Sequence, residues 1–285
     1  MTILNLKIKI LSRKEVTPNI YLLSLAAPAI AQQALPGQFL HIKCSKDNYP
    51  LLLLRRPISI HRIDPQKGEI QILFQVAGEG TKLLAERPVG DDLDIIGPLG
   101  NSFKLYPESK KVMLIGGGIG VAALLALGEE AIRQGKEVQV LIGALNKELV
   151  LAEEIFSDLG AKVEVATNDG SYRYKGLVTE LLEKILEEEA LATGLPHQIF
   201  ACGPRPLLKK VSEIAFQKNI DSQVSMEERM GCGIGACLGC VCKIKGEDQN
   251  NNNNNNGLPP PPYIYKRVCI DGPIFRGNEV VWDDQ

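Results

Sequence analysis

The chain has 285 residues, 45% of them hydrophobic, with 32 basic against 34 acidic side chains. That length buries at least one full core and favours two or three modules. The near-neutral, interspersed charge excludes the basic surface of a nucleic-acid binder. Lys7, Lys9 and Arg13 interrupt the N-terminal apolar residues before a signal-peptide core or membrane span forms, so a cytoplasmic protein is expected.

In chain order, the β-prone runs LNLKIKIL, NIYLLSLA, GQFLHIKC, PISIHRI, EIQILFQV and DDLDIIG are separated by Pro, Gly and Asp, and predict an antiparallel barrel over 1–105. From Lys111 strands alternate with helices: KKVMLIGGG, AALLALGEEAIRQG, EVQVLIGA, AEEIFSDLG, KVEVATND, VTELLEKILEEEALA, HQIFACGP and LLKKVSEIAFQKN, with DSQVSMEE as a further strand. That order predicts a doubly wound parallel-sheet domain over 106–225. The remaining 226–285 is cysteine-rich and interrupted by Asn250 to Asn256 and Pro259 to Pro262, a low-complexity loop over 249–262. A surface loop lengthens at a cost of only about 0.6 kcal/mol per doubling, so the insertion is expected to leave its flanks undisturbed.

Of seven cysteines, Cys232, Cys237, Cys240 and Cys242 crowd together and Cys269 follows. In a reducing compartment such crowding points to metal before disulfide. The spacing Cys232-x4-Cys237-x2-Cys240, then Cys269, has the plant-type ferredoxin form that holds a 2Fe-2S cluster through four thiolates. Three ligands must come from one tight loop, and glycines 231, 233, 235 and 239 let its backbone close around an inorganic core. Four cysteines also satisfy a tetrahedral zinc ion. Cys242 either replaces Cys269 or is a buried thiol, and the second reading is preferred because a ligand so close to Cys240 crowds the loop.

Gly116-Gly117-Gly118-Ile119-Gly120 follows a strand and opens a helix, where backbone amides face an anionic phosphate. A turn without a ligand gives the same pattern. Cys202, Gly203 and Pro204 end a later strand and fall at the same carboxyl edge of the sheet. In the barrel half, Arg55-Arg56-Pro57-Ile58-Ser59 sets a guanidinium near a hydroxyl, suited to a pyrophosphate and a flavin ring edge. Gly80 and Thr81 begin a helix whose amides offer a second diphosphate contact. His41, His61 and His197 are scattered without ligand spacing and are given no metal role.

These motifs in this order resemble the ferredoxin-reductase superfamily: RRPIS looks like its flavin motif, and GGGIG with CGPRPLL like its nicotinamide motifs. The run from Met226 to Cys237, MEERMGCGIGAC, is similar to the electron-transfer subunits of type B dihydroorotate dehydrogenase, and RVCIDGPIF supports Cys269 as fourth ligand. The resemblance covers nearly the whole chain. It implies FAD at Arg56, Pro57, Ile58, Ser59, Leu73, Phe74, Gln75, Gly80 and Thr81, and NAD as substrate at Gly116 to Gly120 (Gly116, Gly117, Gly118, Ile119, Gly120) and at Cys202, Gly203 and Pro204. It also implies a 2Fe-2S cluster on Cys232, Cys237, Cys240 and Cys269, an FMN-containing dihydroorotate dehydrogenase catalytic subunit as partner, and a heterotetramer with two copies of each subunit. No general acid or base is needed in such a subunit, and none is assigned. The chain departs from the family at Ala123, where a proline is usual, and in the longer gap between Cys240 and Cys269. The alternatives are an NAD(P)H reductase serving ferredoxin or sulfur chemistry, and a zinc-stabilised binding protein without redox chemistry.

Overall fold

A computed structural model describes residues 3–45, 52–192, 194–246 and 261–282. The asparagine run, Pro259 and Pro260 lie outside the described residues. Strands β1 (Leu4–Thr17), β2 (Ile20–Ala26), β3 (Phe39–Lys43), β4 (Arg56–Asp64), β5 (Glu69–Gln75) and β6 (Asp92–Leu99) close into a barrel in the order β1-β2-β5-β4-β3-β6. Apolar residues at period two point inward, among them Ile8 and Ile10, Leu23 and Leu25, Leu40 and Ile42, and Ile58 and Ile60. A register shift between Ile10 and Ser12 bends the long β1 so that it pairs with both β2 and β6. Helices α1 (Pro28–Ala31) and α2 (Glu79–Ala85) add Ile30 and Leu84 to the barrel core.

The second half contains β7 (Lys111–Gly117), α3 (Leu125–Arg133), β8 (Glu137–Ala144), α4 (Glu153–Asp158), β9 (Lys162–Thr167), β10 (Tyr174–Lys175), α5 (Val178–Ala192), β11 (Gln198–Cys202), α6 (Arg205–Gln217) and β12 (Asp221–Ser225). Its sheet runs β10-β9-β8-β7-β11-β12 with parallel pairing throughout. Every residue of β7 and β11 is buried, as expected of central strands covered on both faces. The strand order reverses between β7 and β11, which puts the glycine turn and the Cys202 motif side by side at the switch point. The sequence predicts a helix starting at Ala122. Instead a 3-10 turn covers Gly118–Leu124 before α3 begins. The turn is pressed against β11: a Cβ on Gly120 would lie 2.5 Å from the Cys202 carbonyl oxygen.

Beyond β12, strands β13 (Val241–Lys245) and β14 (Tyr263–Arg267) form an antiparallel ribbon, and β15 (Ile274–Arg276) returns to pair with β12 as the seventh strand of the large sheet. The asparagine-rich insertion therefore leaves the ribbon at the Lys245–Tyr263 end, while Val241 and Arg267 pair at the end that carries Cys240 and Cys269. The C-terminal segment is also joined to the barrel's exit: Asn101 donates to the carbonyls of Asp271 (3.1 Å) and Ile274 (2.8 Å) and accepts from Ile274 N–H at 2.9 Å. Barrel and sheet meet through Phe103 edge-on to Phe200 and through β4, where Arg62 pairs with Glu129 at 2.6 Å.

Candidate active site

A cleft of about 940 Å³ opens where these parts meet. The barrel contributes Arg56 to Ser59 of β4 and Leu73, Phe74 and Gln75 of β5. The sheet contributes Ile119, Gly120 and Cys202, and the segment after β12 contributes Ser225 to Met230. Its size and mixed lining suit a cofactor-sized ligand.

On the barrel side, Arg56 begins β4 and its guanidinium donates to the Leu54 carbonyl at 2.6 Å. The guanidinium packs against α2: a Cβ at Gly80 would sit 2.7 Å from Arg56 Nε, so a larger residue there would displace it. The arrangement leaves a fixed cation at the cleft wall, which fits a diphosphate. Thr81 has its hydroxyl engaged within the turn. Its Oγ1 accepts from Ala77 N–H (2.9 Å) and Gly78 N–H (3.2 Å) and donates to the Gly78 carbonyl, so the side chain secures the turn. Pro57 and Ser59 stand opposite His41 and Phe39 of β3.

On the sheet side the two glycine motifs touch. A Cβ on Gly203 would lie 3.1 Å from Gly117, and one on Gly117 would lie 3.0 Å from Pro204. Gly203 has φ +154°, within the range that favours glycine. Gly116, Gly117, Gly118, Gly203 and Pro204 thus form the floor and shoulder of the switch point, while Ile119, Gly120 and Cys202 face the cleft. Burial pushes the Cys202 thiol up to about 12, with the nearby Glu227 carboxylate adding to the shift, so it stays protonated.

The cysteine loop follows directly. Burial opposes ionisation of Cys232, but backbone amides of the loop and the Cys237 thiol outweigh it and bring its pKa down to about 6. The amides of Ala236 and Cys237 point at its Sγ from 3.3 and 3.4 Å. Cys269 lies against Cys240, and burial followed by that neighbour pushes it up to about 12. Cys232 lies beside Cys237 and Cys269 beside Cys240, with Cys232 also near enough to Cys269 to bear on it. Two thiolates per iron is what a binuclear cluster needs, and loop amides aimed at sulfur are its usual supports. Cys242, on β13, is 4% exposed and packs in the same core cluster as Cys240 and Cys269.

Sequence reasoning missed the segment after β12 as cleft wall. Met226 to Met230 was noticed for its likeness to a family and not placed beside the flavin motif. The available signal was its position, immediately after a strand whose neighbour ends in Cys202. His41 was also passed over. It is wholly buried on β3, and burial together with the Arg55 guanidinium holds its pKa below the usual value. His61 is buried too, its Nδ1 2.8 Å from the Ala122 carbonyl of the 3-10 turn.

A closed barrel set against a doubly wound sheet, with one cleft running to a four-cysteine loop, defines a flavin- and iron–sulfur-binding oxidoreductase subunit. Residues 7–104 match the family described as oxidoreductase FAD-binding domain, and residues 227–281 match the iron-sulfur cluster binding domain of dihydroorotate dehydrogenase B. The chain is 39% identical over 275 residues to the dihydroorotate dehydrogenase B (NAD(+)) electron transfer subunit of Desulforamulus reducens, covering 96% of this chain and 97% of that one. With the same subunit of Bacillus cereus it is 39% identical, covering 95% and 96%. Among solved structures, an NADH-dependent reduced ferredoxin-NADP oxidoreductase superposes with TM-score 0.80 at 25% identity, covering 96% of this chain and 90% of the other. The chain belongs to the family of dihydroorotate dehydrogenase B electron transfer subunits. The zinc-stabilised binding protein is set aside by this membership.

Proposed function

We propose that this chain carries electrons, released when a partner subunit oxidises dihydroorotate at FMN, through a 2Fe-2S cluster and FAD to NAD+, in pyrimidine biosynthesis. The single cleft carries this reading, because it places the flavin strand β4, the glycine turn, Cys202 and the approach to the cysteine loop within one enclosure. A flavin is the group that exchanges single electrons on one side and a hydride on the other. The chain's residues bind and orient: Arg56 holds a pyrophosphate, Ser59 faces the flavin ring edge, and the Gly116 to Gly120 turn with Cys202, Gly203 and Pro204 seats the nicotinamide nucleotide. Cys232, Cys237, Cys240 and Cys269 hold the cluster.

Cys237 is exposed, as are Ile234, Leu238 and Ile270 around it, whereas Cys240 and Cys269 are each 2% exposed. The loop's outer side faces the partner and its inner side the cleft. Residues 1–105, 106–225 and 226–285 act as flavin, nicotinamide and cluster modules of a cytoplasmic heterotetramer with two copies of each subunit. No helix among the described residues is long and apolar enough to cross a membrane. Co-production with an FMN-containing dihydroorotate dehydrogenase tests the reading. A stable complex that reduces NAD+ with dihydroorotate only when both chains are present is expected, and a catalytic subunit equally active with NAD+ alone would contradict it.

A further inference from the structure

His41 sits on β3 among Phe39, Leu40 and Ile42, all buried, and is itself 0% exposed. Neither ring nitrogen has a hydrogen-bond partner within strict geometry. A buried, unsatisfied imidazole costs stability where an apolar side chain would cost none, so its surroundings decide what it does there. In the barrel it stands between Pro57 of β4 and Ile96 of β6. On its open side lies the cysteine loop: a Cβ on Gly233 would fall 2.5 Å from His41 Nδ1, and Gly233 is buried with φ +72°. The loop backbone is therefore moulded onto the ring. His41 thus stands opposite Pro57 of β4 and against Gly233, the residue that follows the first cysteine of the loop.

We propose that His41 is a positioning residue that seats the cysteine loop on β4, its Nδ1 edge set against the Gly233 backbone beside Cys232 and its backbone opposite Pro57. It takes up no electron and no proton in turnover. Its part is to fix Cys232 relative to β4, and with it the environment of the sulfur and the coupling between the two redox sites. This rests on the reading of Cys232 as a cluster ligand, which iron and sulfide content of the unaltered protein tests by itself.

The test uses the full two-subunit complex with His41→Phe, His41→Met and His41→Gln. The readouts are iron and FAD content, the electron paramagnetic resonance spectrum of the reduced cluster, and the rate of electron exchange between cluster and flavin after rapid mixing with NADH. For Phe and Met, near-normal iron and FAD with a changed spectrum and roughly 10-fold or greater slowing of exchange are expected. His41→Gln, which keeps a donor, should recover much of both. An unchanged spectrum and rate in the Phe and Met variants would overturn the proposal. So would loss of FAD in both, which would make His41 a barrel core residue only.

Discussion

At the scale of single residues, the site depends on backbone approaches that admit no side chain. Gly120 is the sharpest case: a methyl there meets the Cys202 carbonyl oxygen at 2.5 Å and the Gly203 nitrogen at 2.6 Å, both main-chain atoms that cannot swing aside. Gly120→Ala is expected to cost roughly 1–3 kcal/mol and to weaken NADH reduction of the flavin while iron content stays normal. Thermal unfolding and NADH titration check this. Cys237 is exposed, so Cys237→Ser removes little packing. Iron and sulfide should fall away in that variant while FAD is retained near one per chain, measured by metal assay and flavin absorbance. Loss of FAD as well would show that the cysteine loop helps to build the flavin site.

At the scale of elements, β4 does two jobs, lining the cleft with Arg56 to Ser59 and holding the sheet with His61 and Arg62. Burial first of all holds the His61 pKa at about 4, against an unfolded value near 6.5. The neutral ring donates to the Ala122 carbonyl. Its contribution to stability is complete above the unfolded pKa and is lost as pH falls toward the folded one, because the unfolded chain takes up the proton first. Between pH 7 and 5 the wild type should lose roughly 2 kcal/mol more than His61→Gln, read from urea midpoints at the two pH values. Much of this architecture was legible in the sequence, since the barrel half is a series of short β-prone runs broken by Pro, Gly and Asp, and the central sheet strands β7 and β11 are mostly apolar. The 3-10 turn was not, because its tightness is imposed by β11, distant in sequence. The cleft wall after β12 and the burial of His41 and His61 were equally hidden: each depends on which elements pack together, and no local pattern records that. The spacing alone leaves Cys242 open, and its burial in the core beside Cys240 and Cys269 does not decide its role.

At the scale of the whole molecule, the C-terminal segment is tied to both larger parts, to the sheet by β15 and to the barrel's exit by Asn101. The long insertion leaves the far end of the β13–β14 ribbon, so Cys240 and Cys269 meet whatever its length. Strand β4, the glycine turn and the cysteine loop are thereby held in one frame, and the proposed path of the electrons runs among them. The most direct test is an ultraviolet-visible spectrum of anaerobically purified protein, with iron and acid-labile sulfide assays, before and after NADH. The account predicts flavin bands over broad iron–sulfur absorption, with iron and sulfide each near two per chain, and bleaching of both chromophores by NADH. A protein that carries flavin reducible by NADH but leaves the cluster oxidised would contradict electron passage through this frame.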